Sequence, residues 1–328
     1  MSLIARRGVE VRVVVTGAAG YVGQAIARRL AESGRRVTSV GLADPQISGV
    51  EHHEWDIREE IPQQLRGRLR FTDAVVHAAV IDDDWAGEDE LQAVNVTGTR
   101  HVLDAFPKPR MICLSSTAVY APADAHRYLY EEGGPVDPAQ YLCAYERIRA
   151  EAERVIARVR PEALVLRPNA VYGPDDTTLW PILERMADGG VLKLPAGGRH
   201  TMTMTHIDTL TAAVDAALTK PEAYGPMNIG DPQPYVVHEA LNTYLGRFGH
   251  PSLELDTIAA DLALVKAWFA ERKARRKKRR PPYTRHAMRN LARERTYSLS
   301  RMHRMLGIEG VQGLRRSGAA AGRVPRRD

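Results

Sequence analysis

Val11-Arg12-Val13-Val14-Val15-Thr16-Gly17-Ala18-Ala19-Gly20-Tyr21-Val22-Gly23 is the stretch on which the reading of this chain turns. Its opening is an apolar run broken only by Arg12, as expected of a strand buried on both faces. After the glycines, Ile26, Ala27 and Leu30 recur at helical spacing and Gly34 supplies a stop. Strand, glycine turn and helix thus follow one another within about thirty residues. In that context Gly17 permits a tight turn, Gly20 lets backbone approach a pyrophosphate, and Gly23 lets the helix lie close on the strand. The free amides at the helix start, around Tyr21 and Val22, attract phosphate. A glycine triplet alone also fits an ordinary strand-to-helix turn; the β-α-β continuation behind it carries the dinucleotide reading.

Working outward, composition sets the limits. A chain of 328 residues suits one large domain or two unequal lobes, and 44% hydrophobic residues are ample for a core. No apolar run reaches membrane-spanning length, and the start enters a strand without a cleavable signal. Cys113 and Cys143 make no disulfide framework, which predicts a reducing, cytoplasmic setting. The net charge of +6 is local. Residues 272–280 hold eight basic groups, and the total of 46 less these eight leaves 38 against 40 acidic groups. Only Trp268, Phe269 and Tyr283 flank this run, with no interleaved aromatics for base stacking, so a solvated helix continuation is expected and no nucleic-acid partner.

Forward from the turn, Val37 to Leu42 reads as a second strand. The acid that holds an adenosine ribose normally lies about twenty residues past the glycines. Gly41 stands in that place and Asp44 comes three residues late. Nothing there repels a 2′-phosphate and no arginine follows to grip one, so NADP and NAD both stay open, with a slight lean to NADP. In Trp55-Asp56-Ile57, Asp56 is placed to accept from an adenine amino group; its alternative is a helix N-cap before Glu59 and Glu60. Ala74 to Ala79 reads as a buried strand whose end, His77-Ala78-Ala79, is small enough for a cofactor to approach closely. Asn95 lies in an otherwise apolar helix running to Phe106 and calls for a hydrogen-bonded partner. Met111 to Leu114 is a further strand ending in Ser115-Ser116-Thr117, and the loop Ala121 to Pro138 could cover a cleft. In the next helix Tyr145 and Arg149 stand four apart and share a face.

With these residues in view, the chain resembles the extended short-chain dehydrogenase/reductase superfamily, the NAD-dependent epimerase/dehydratase group. Gly-x-x-Gly-x-x-Gly matches Gly17, Gly20 and Gly23; Ser-Ser-x-x-Val-Tyr matches Ser115, Ser116, Val119 and Tyr120. Asn-x-x-Gly matches Asn95 and Gly98, and Arg-Pro-x-x-Val-Tyr-Gly-Pro matches Arg167 to Pro174. The resemblance implies an α/β Rossmann fold, a doubly wound parallel sheet with a smaller C-terminal substrate lobe. It places Gly17, Gly20, Tyr21, Val22, Gly23, Asp56, Ile57, Ala78, Ala79, Asn95, Tyr145 and Arg149 at the cofactor. It makes Ser116, Tyr145 and Arg149 catalytic: Tyr145 exchanges a proton with the substrate oxygen, Ser116 stabilises developing charge, and Arg149 positions ribose and tunes the phenol. No metal site is implied.

The departure from the family is Tyr145-x-x-x-Arg149 in place of Tyr-x-x-x-Lys. Starting the motif at Tyr141 would spoil the match of Ala150 to Glu153, so the Tyr145 register stands. Arginine keeps the positive charge that favours tyrosinate, but it cannot release a proton at working pH. Relatives acting on nucleotide sugars carry an Arg-Asp-Phe that grips the diphosphate; aligning on Ile207-Asp208-Thr209 puts Met202 at that arginine. The uncharged Met202-Thr203-Met204-Thr205 favours a less charged, partly apolar carbonyl or alcohol substrate. Nucleotide-sugar chemistry and a cofactor-binding protein with an inert site are the alternatives. The expected organisation is a Rossmann core over 9–172, a substrate lobe over 173–314 with about 203–230 returning to the core, and a disordered tail over 315–328. Helices are expected at Val237 to Phe248 and Ile258 to Phe269. A homodimer through the Asn95 and Tyr145 helices is the family expectation.

Overall fold

The structure, a computed structural model, describes residues 11–248 and 253–314. The expected tail over 315–328, and the first residues of the expected core, lie outside the described residues.

Seven parallel strands make the main sheet: β1 (Arg12–Thr16), β2 (Arg36–Gly41), β3 (Glu51–Glu54), β4 (Ala74–His77), β5 (Arg110–Leu114), β6 (Leu164–Pro168) and β7 (Gly225–Ile229). Their order is β7-β6-β5-β4-β1-β2-β3. β1 pairs with β2 on one side, Val13 opposite Val37, and with β4 on the other, Val13 opposite Ala74. Strand order therefore reverses at β1, and the crevice beyond the carboxyl ends of β1 and β4 is where such sheets bind ligands. The near-continuous apolar character of β1, β4 and β5 follows from burial on both faces.

Each face is covered by helices with an apolar stripe. On one side Ile26 and Leu30 of helix Tyr21–Glu32, Leu210 and Val214 of helix Ile207–Thr219, and Met302 and Leu306 of helix Ser300–Leu306 share a single buried cluster with Val13, Val15 and Val76. On the other, Val102 and Leu103 of helix Thr99–Ala105 and Ile156 of helix Ala144–Val159 pack with Val14, Val75 and Met111. The alternation within each strand sends Val13 and Val15 to one layer and Val14 to the other, as a period of two requires.

The rest of the chain forms a smaller unit. A four-stranded sheet runs in the order Tyr235–Val236, Thr201–Met202, Arg295–Tyr297, His126–Leu129. Val191–Pro195 pairs in parallel with Glu254–Ile258. Its core is a second cluster built on Leu183, Met186, Tyr235, Tyr244 and Ala267.

Several sequence expectations change here. The stretch Ala121 to Pro138 is more than a loop: His126–Leu129 is a strand paired with Arg295–Tyr297, and the aromatic stack of Tyr120, His126 and Tyr297 buries its first residue. Ile258 ends a strand rather than starting a helix; the helix is Ala260–Arg276. Ala263, Ala267, Glu271 and Ala274 are its buried stripe, so the helix is carried into the basic run by small residues against the lobe. β2 ends at Gly41, leaving Leu42 exposed, and β4 ends at His77.

Candidate active site

The glycine turn is built by close approach. Gly17 has φ +72°, and a Cβ there would lie 2.6 Å from Ala79 Cα. A Cβ on Gly23 would lie 2.2 Å from the Gly17 carbonyl oxygen, so this residue must be glycine for helix Tyr21–Glu32 to sit on β1. A Cβ on Gly20 would meet nothing nearer than 3.5 Å; that position faces open space. Ala78 and Ala79 line the same approach, and Ala79 donates its amide to Thr16 Oγ1 at 3.2 Å. His77 ties the two strand ends together: its Nδ1 meets Thr16 Oγ1 at 2.8 Å and its Nε2 meets Thr99 Oγ1 at 3.0 Å. Burial, with Arg149 second, lowers the imidazole to about 4, so His77 is neutral.

Tyr21 and Val22 open the helix, but the Tyr21 hydroxyl points away from the glycines. A Cβ on Gly173 would lie 3.0 Å from it, and burial followed by Asp176, Asp175 and Asp208 raises its pKa. Gly41 has room for a side chain, since a Cβ would meet Gly17 N at 3.8 Å and nothing closer. Asp44 accepts from the Gln46 amide in a local turn. Asp56 does not cap a helix, because none starts there; it accepts from Arg58 Nε at 2.9 Å and from the Arg58 amide at 3.0 Å. Ile57 is buried against Gly98, where a Cβ would lie 2.8 Å from its Cδ1. That contact explains the glycine of Asn-x-x-Gly.

Asn95 finds its partner in the loop after β4. It sits in a π-helical segment, Gln92–Gly98, of the kind that often marks functional sites. Its Oδ1 accepts from Ile81 N at 2.8 Å and its Nδ2 donates to Ile81 O at 3.0 Å. Asn95 thus positions the segment that leads to Asp82, and both ends of its amide are spent on doing so.

Tyr145 and Ser116 come together. Both line a cavity of about 350 Å³ between the strand ends and the smaller unit. Tyr145 is buried at 5% exposure and donates its hydroxyl to Asp82 Oδ1. Burial, then Asp82, hold the phenol well above its ordinary value, while Arg149 and Ser116 act to lower it. Ser116 accepts from Ala118 N at 3.2 Å, which orients its hydroxyl at the end of β5. Arg149 does not reach that cavity. It lies behind Tyr145, 4% exposed, beside His77, Asn95 and Thr99, and its Nε is buried without a hydrogen-bond partner. Tyr141, the alternative start of the motif, is spent elsewhere: it donates to Val119 O at 2.6 Å and accepts from Val136 N.

Behind these groups is a buried brace made of the other motif residues. Arg167 is wholly buried and donates to Glu153 Oε1 at 2.9 Å and Oε2 at 2.6 Å, to Tyr120 Oη at 3.0 Å, and to the Glu131 and Gly134 carbonyls. Ser115 donates to Glu153, and Tyr120 donates to Asn228. The conspicuous Ser-Ser, Val-Tyr and Arg-Pro residues therefore fix the end of β5 on which Ser116 stands.

Sequence reasoning missed the remaining polar groups of the cavity. Asp82, Glu146, His286, Arg280, Asn290 and Arg295 all line it. Glu146 Oε1 meets His286 Nδ1 at 2.7 Å and its Oε2 accepts from Leu142 N. Arg295 donates to Asn290 Oδ1, which turns the Asn290 amide nitrogen to His286 Nε2 at 3.0 Å; His286 then carries its proton on Nδ1, facing Glu146. Cys143, Glu146 and His286 bring potential ligand atoms within 4.8 Å of one another, but both Glu146 oxygens already have protein partners. The basic run continues the helix as an exposed stretch, as expected, and only its end departs. Its helix ends at Arg276, and Arg280 crosses to Asp83 with contacts at 2.5 and 2.6 Å, while Arg275 stacks over Trp85 at 5.4 Å. The signal available was charge complementarity: Asp82-Asp83-Asp84 is an acidic triplet and residues 272–280 a basic run.

An NAD(P) cofactor fits these residues. The Gly17–Gly23 turn brings backbone close where a pyrophosphate would lie, Gly20 has room beside it, and Arg149 Nε is a buried donor without a hydrogen-bond partner. Among the described residues no helix is long and apolar enough to cross a membrane.

Comparison with known proteins agrees with this geometry. The model of a family described as the NAD dependent epimerase/dehydratase family matches residues 13–230. The chain is 28% identical to the 2-alkyl-3-oxoalkanoate reductase of Stenotrophomonas maltophilia (strain K279a), over 94% of this chain and 100% of that protein. It is 26% identical to the 4-hydroxy-2-methyl-3-oxo-4-farnesyl-3,4-dihydroquinoline-1-oxide ketoreductase of Stigmatella aurantiaca, over 96% of this chain and 99% of that protein. Among solved structures, MoeE5 in complex with UDP-glucose and NAD has a TM-score of 0.68 at 21% identity, covering 92% of this chain and 94% of that one. At that identity the likeness shows the fold.

Proposed function

The chain belongs to the NAD-dependent epimerase/dehydratase family, and from that premise we propose that it is an NAD(P)(H)-dependent ketoreductase acting on a partly apolar, non-nucleotide carbonyl compound. The observation that carries this is Tyr145 beside Ser116 in a cavity walled by Met202, Leu179, Ile182 and Leu183 rather than by a free cation at the Met202 position. Its volume lies in the range of small-molecule sites. Both methionines of the pair are buried in the core of the smaller unit, and Met202 also lines the cavity. The named reductases it resembles are, by name, a 2-alkyl-3-oxoalkanoate reductase and the ketoreductase of a 3-oxo-4-farnesyl compound, in keeping with this wall.

A nicotinamide cofactor, when bound, would supply or accept the hydride. The chain's own residues do the rest. Tyr145 exchanges a proton with the substrate oxygen at its Oη, and Ser116 donates to that oxygen as charge grows on it. Arg149 supplies a fixed charge behind the phenol, and its unpartnered Nε would be available to the nicotinamide ribose. The glycine turn and helix amides would hold the pyrophosphate. Asp56 and Ile57 border the adenine side, and the cofactor we favour is NADP, because Gly41 leaves space where an acid would repel the 2′-phosphate. A homodimer through the Asn95 and Tyr145 helices would have to cover Arg147, which is bound to Glu88 at 2.5 Å, and Glu151, which is bound by Gln92 at 2.9 Å.

A panel of 2-alkyl-3-oxo acids, simple ketones and UDP-sugars, each offered with NADPH and NADH, tests this reading. We expect cofactor oxidation with the 3-oxo compounds, at least as fast with NADPH, and a loss of about a hundred- to ten-thousand-fold in Tyr145→Phe with cofactor binding retained. Turnover confined to UDP-sugars would instead establish nucleotide-sugar chemistry.

A further inference from the structure

We propose that Asp82 is the proton-relay residue of this site: bound to the Tyr145 hydroxyl, its carboxylate links that buried phenol to solvent. This rests on the reading of Tyr145 as the proton-exchanging group.

The argument begins with what Arg149 cannot do. A guanidinium stays protonated at any working pH, so Arg149 holds a charge beside Tyr145 without passing a proton on. Tyr145 is nearly inaccessible, and a phenol that has given up its proton in such a place needs a route by which another arrives. Asp82 is bonded to the Tyr145 hydroxyl and is itself exposed. The residue that touches the reacting phenol is therefore also open to solvent.

The loop around Asp82 is built to keep it there. On its N-terminal side both backbone groups of Ile81 are held by the Asn95 amide. On its C-terminal side Asp83 is bound by Arg280 and accepts from Trp85 N, and Asp84 accepts from Thr284. Two acids of the triplet are thus engaged by the opposite wall, and the third turns to Tyr145. The charged groups around the pair are Arg149 and the buried Glu146 on the helix of Tyr145, His286 bound to Glu146, the neighbouring Asp83 and Asp84, and Arg280.

The step balances. A reduced nicotinamide would supply the hydride, with its electron pair, to the carbonyl carbon as the C=O π bond opens. The Tyr145 O–H bond breaks and its proton goes to the product oxygen. The Asp82 carboxylate takes a proton from solvent and passes it to the phenolate, which leaves both groups as they began. One proton from water is consumed per carbonyl reduced, and nothing else is required.

Asp82→Asn keeps the hydrogen-bonding shape and removes the acid; Asp82→Ala opens a space that a small carboxylate can enter. With a 3-oxo acid and NADPH we expect both variants to lose about ten-fold or more in kcat, with cofactor affinity unchanged by fluorescence titration. The Ala variant should regain activity with added formate, and the pH profile of kcat should lose one limb in both. Variants within about two-fold of native at every pH, or a loss with neither formate rescue nor a changed pH profile, would overturn the relay. If the Ala variant does not fold, the solvent isotope effect of the Asn variant decides: a larger effect than native supports the relay and an unchanged one refutes it. A native protein that reduces no ketone defeats the ketoreductase reading and the relay with it, whereas native turnover with indifferent Asp82 variants defeats the relay alone.

Discussion

The two sides of the crevice are held in different ways. The cofactor side is fixed by backbone contact: Gly17 against Ala79, Gly23 against Gly17, and strand ends joined through a neutral His77. The substrate side is fixed by side chains that meet across long sequence distances, as Arg280 meets Asp83 and His286 meets Glu146. Backbone contacts demand one residue type and leave a motif. A side-chain contact between distant segments leaves none, because either partner reads by itself as an ordinary surface charge. Between the two sides stands the brace of Arg167, Glu153, Tyr120 and Asn228, which belongs to the first kind by conspicuousness and to the second by mechanism.

The brace gives the largest effect by which this contrast can be tested. Arg167→Met removes every hydrogen bond the guanidinium makes and leaves Glu153 buried without its counter-ion. Breaking a buried pair from one side costs about 3–5 kcal/mol. Chemical denaturation should show a loss of that order. A loss below about 1 kcal/mol would mean that the brace is dispensable and that its residues matter for some other reason.

This contrast also explains how much could be read from the chain alone. The α/β class and parallel sheet were legible because β1, β4 and β5 are buried on both faces and the helices between them carry clean apolar stripes. Ser116, Tyr145 and Arg149 were legible through motif spacing, and the structure brings Ser116 to Tyr145 with Arg149 behind. Asp82 was hidden in a run of three identical acids, and only the clamp of Asn95 on Ile81 and of Arg280 on Asp83 selects it. His126 was hidden as one of eleven scattered histidines. Its strand depends on pairing with Arg295–Tyr297, about 170 residues away, which no local pattern encodes. The fate of Arg280 was hidden by its neighbours, whose composition is that of a solvated helix.

A smaller effect follows from two buried histidines, one on each side. Burial lowers His77 to about 4 from 6.5, with Arg149 contributing, and lowers His126 to about 4, with Arg295 contributing. In both cases the native value lies below the unfolded one, so the native state binds fewer protons. Their stabilisation is complete above pH 6.5 and declines as the pH falls from 6.5 towards 4, by up to roughly 3 kcal/mol for each residue. Thermal melts across this window should show a falling Tm. A His77→Asn variant should flatten the decline by about half if the two sides contribute equally. A melt that is constant from pH 7 to pH 4.5 would show that neither histidine is held neutral.

The smallest effect concerns the basic run, and it separates exposed charge from charge that meets the site. Arg276, Lys277 and Lys278 are exposed, and none forms an ion pair within 4.0 Å among the described residues. Arg280 is also exposed, but it spans to Asp83 and lines the cavity. Replacing Arg276, Lys277 and Lys278 together with glutamine should move stability by no more than about 0.5 kcal/mol and leave KM and kcat at native values. Adding Arg280→Gln frees Asp83, and with it the segment that carries Asp82. An exposed pair of this kind is worth at most about 1 kcal/mol in stability, so the change should be read in KM and kcat rather than in Tm. If the triple variant already impairs turnover, the run meets the substrate along its length. If the quadruple variant matches native in both constants, Arg280 is a surface charge like its neighbours and the substrate wall is held by Asn95 and Thr284 alone.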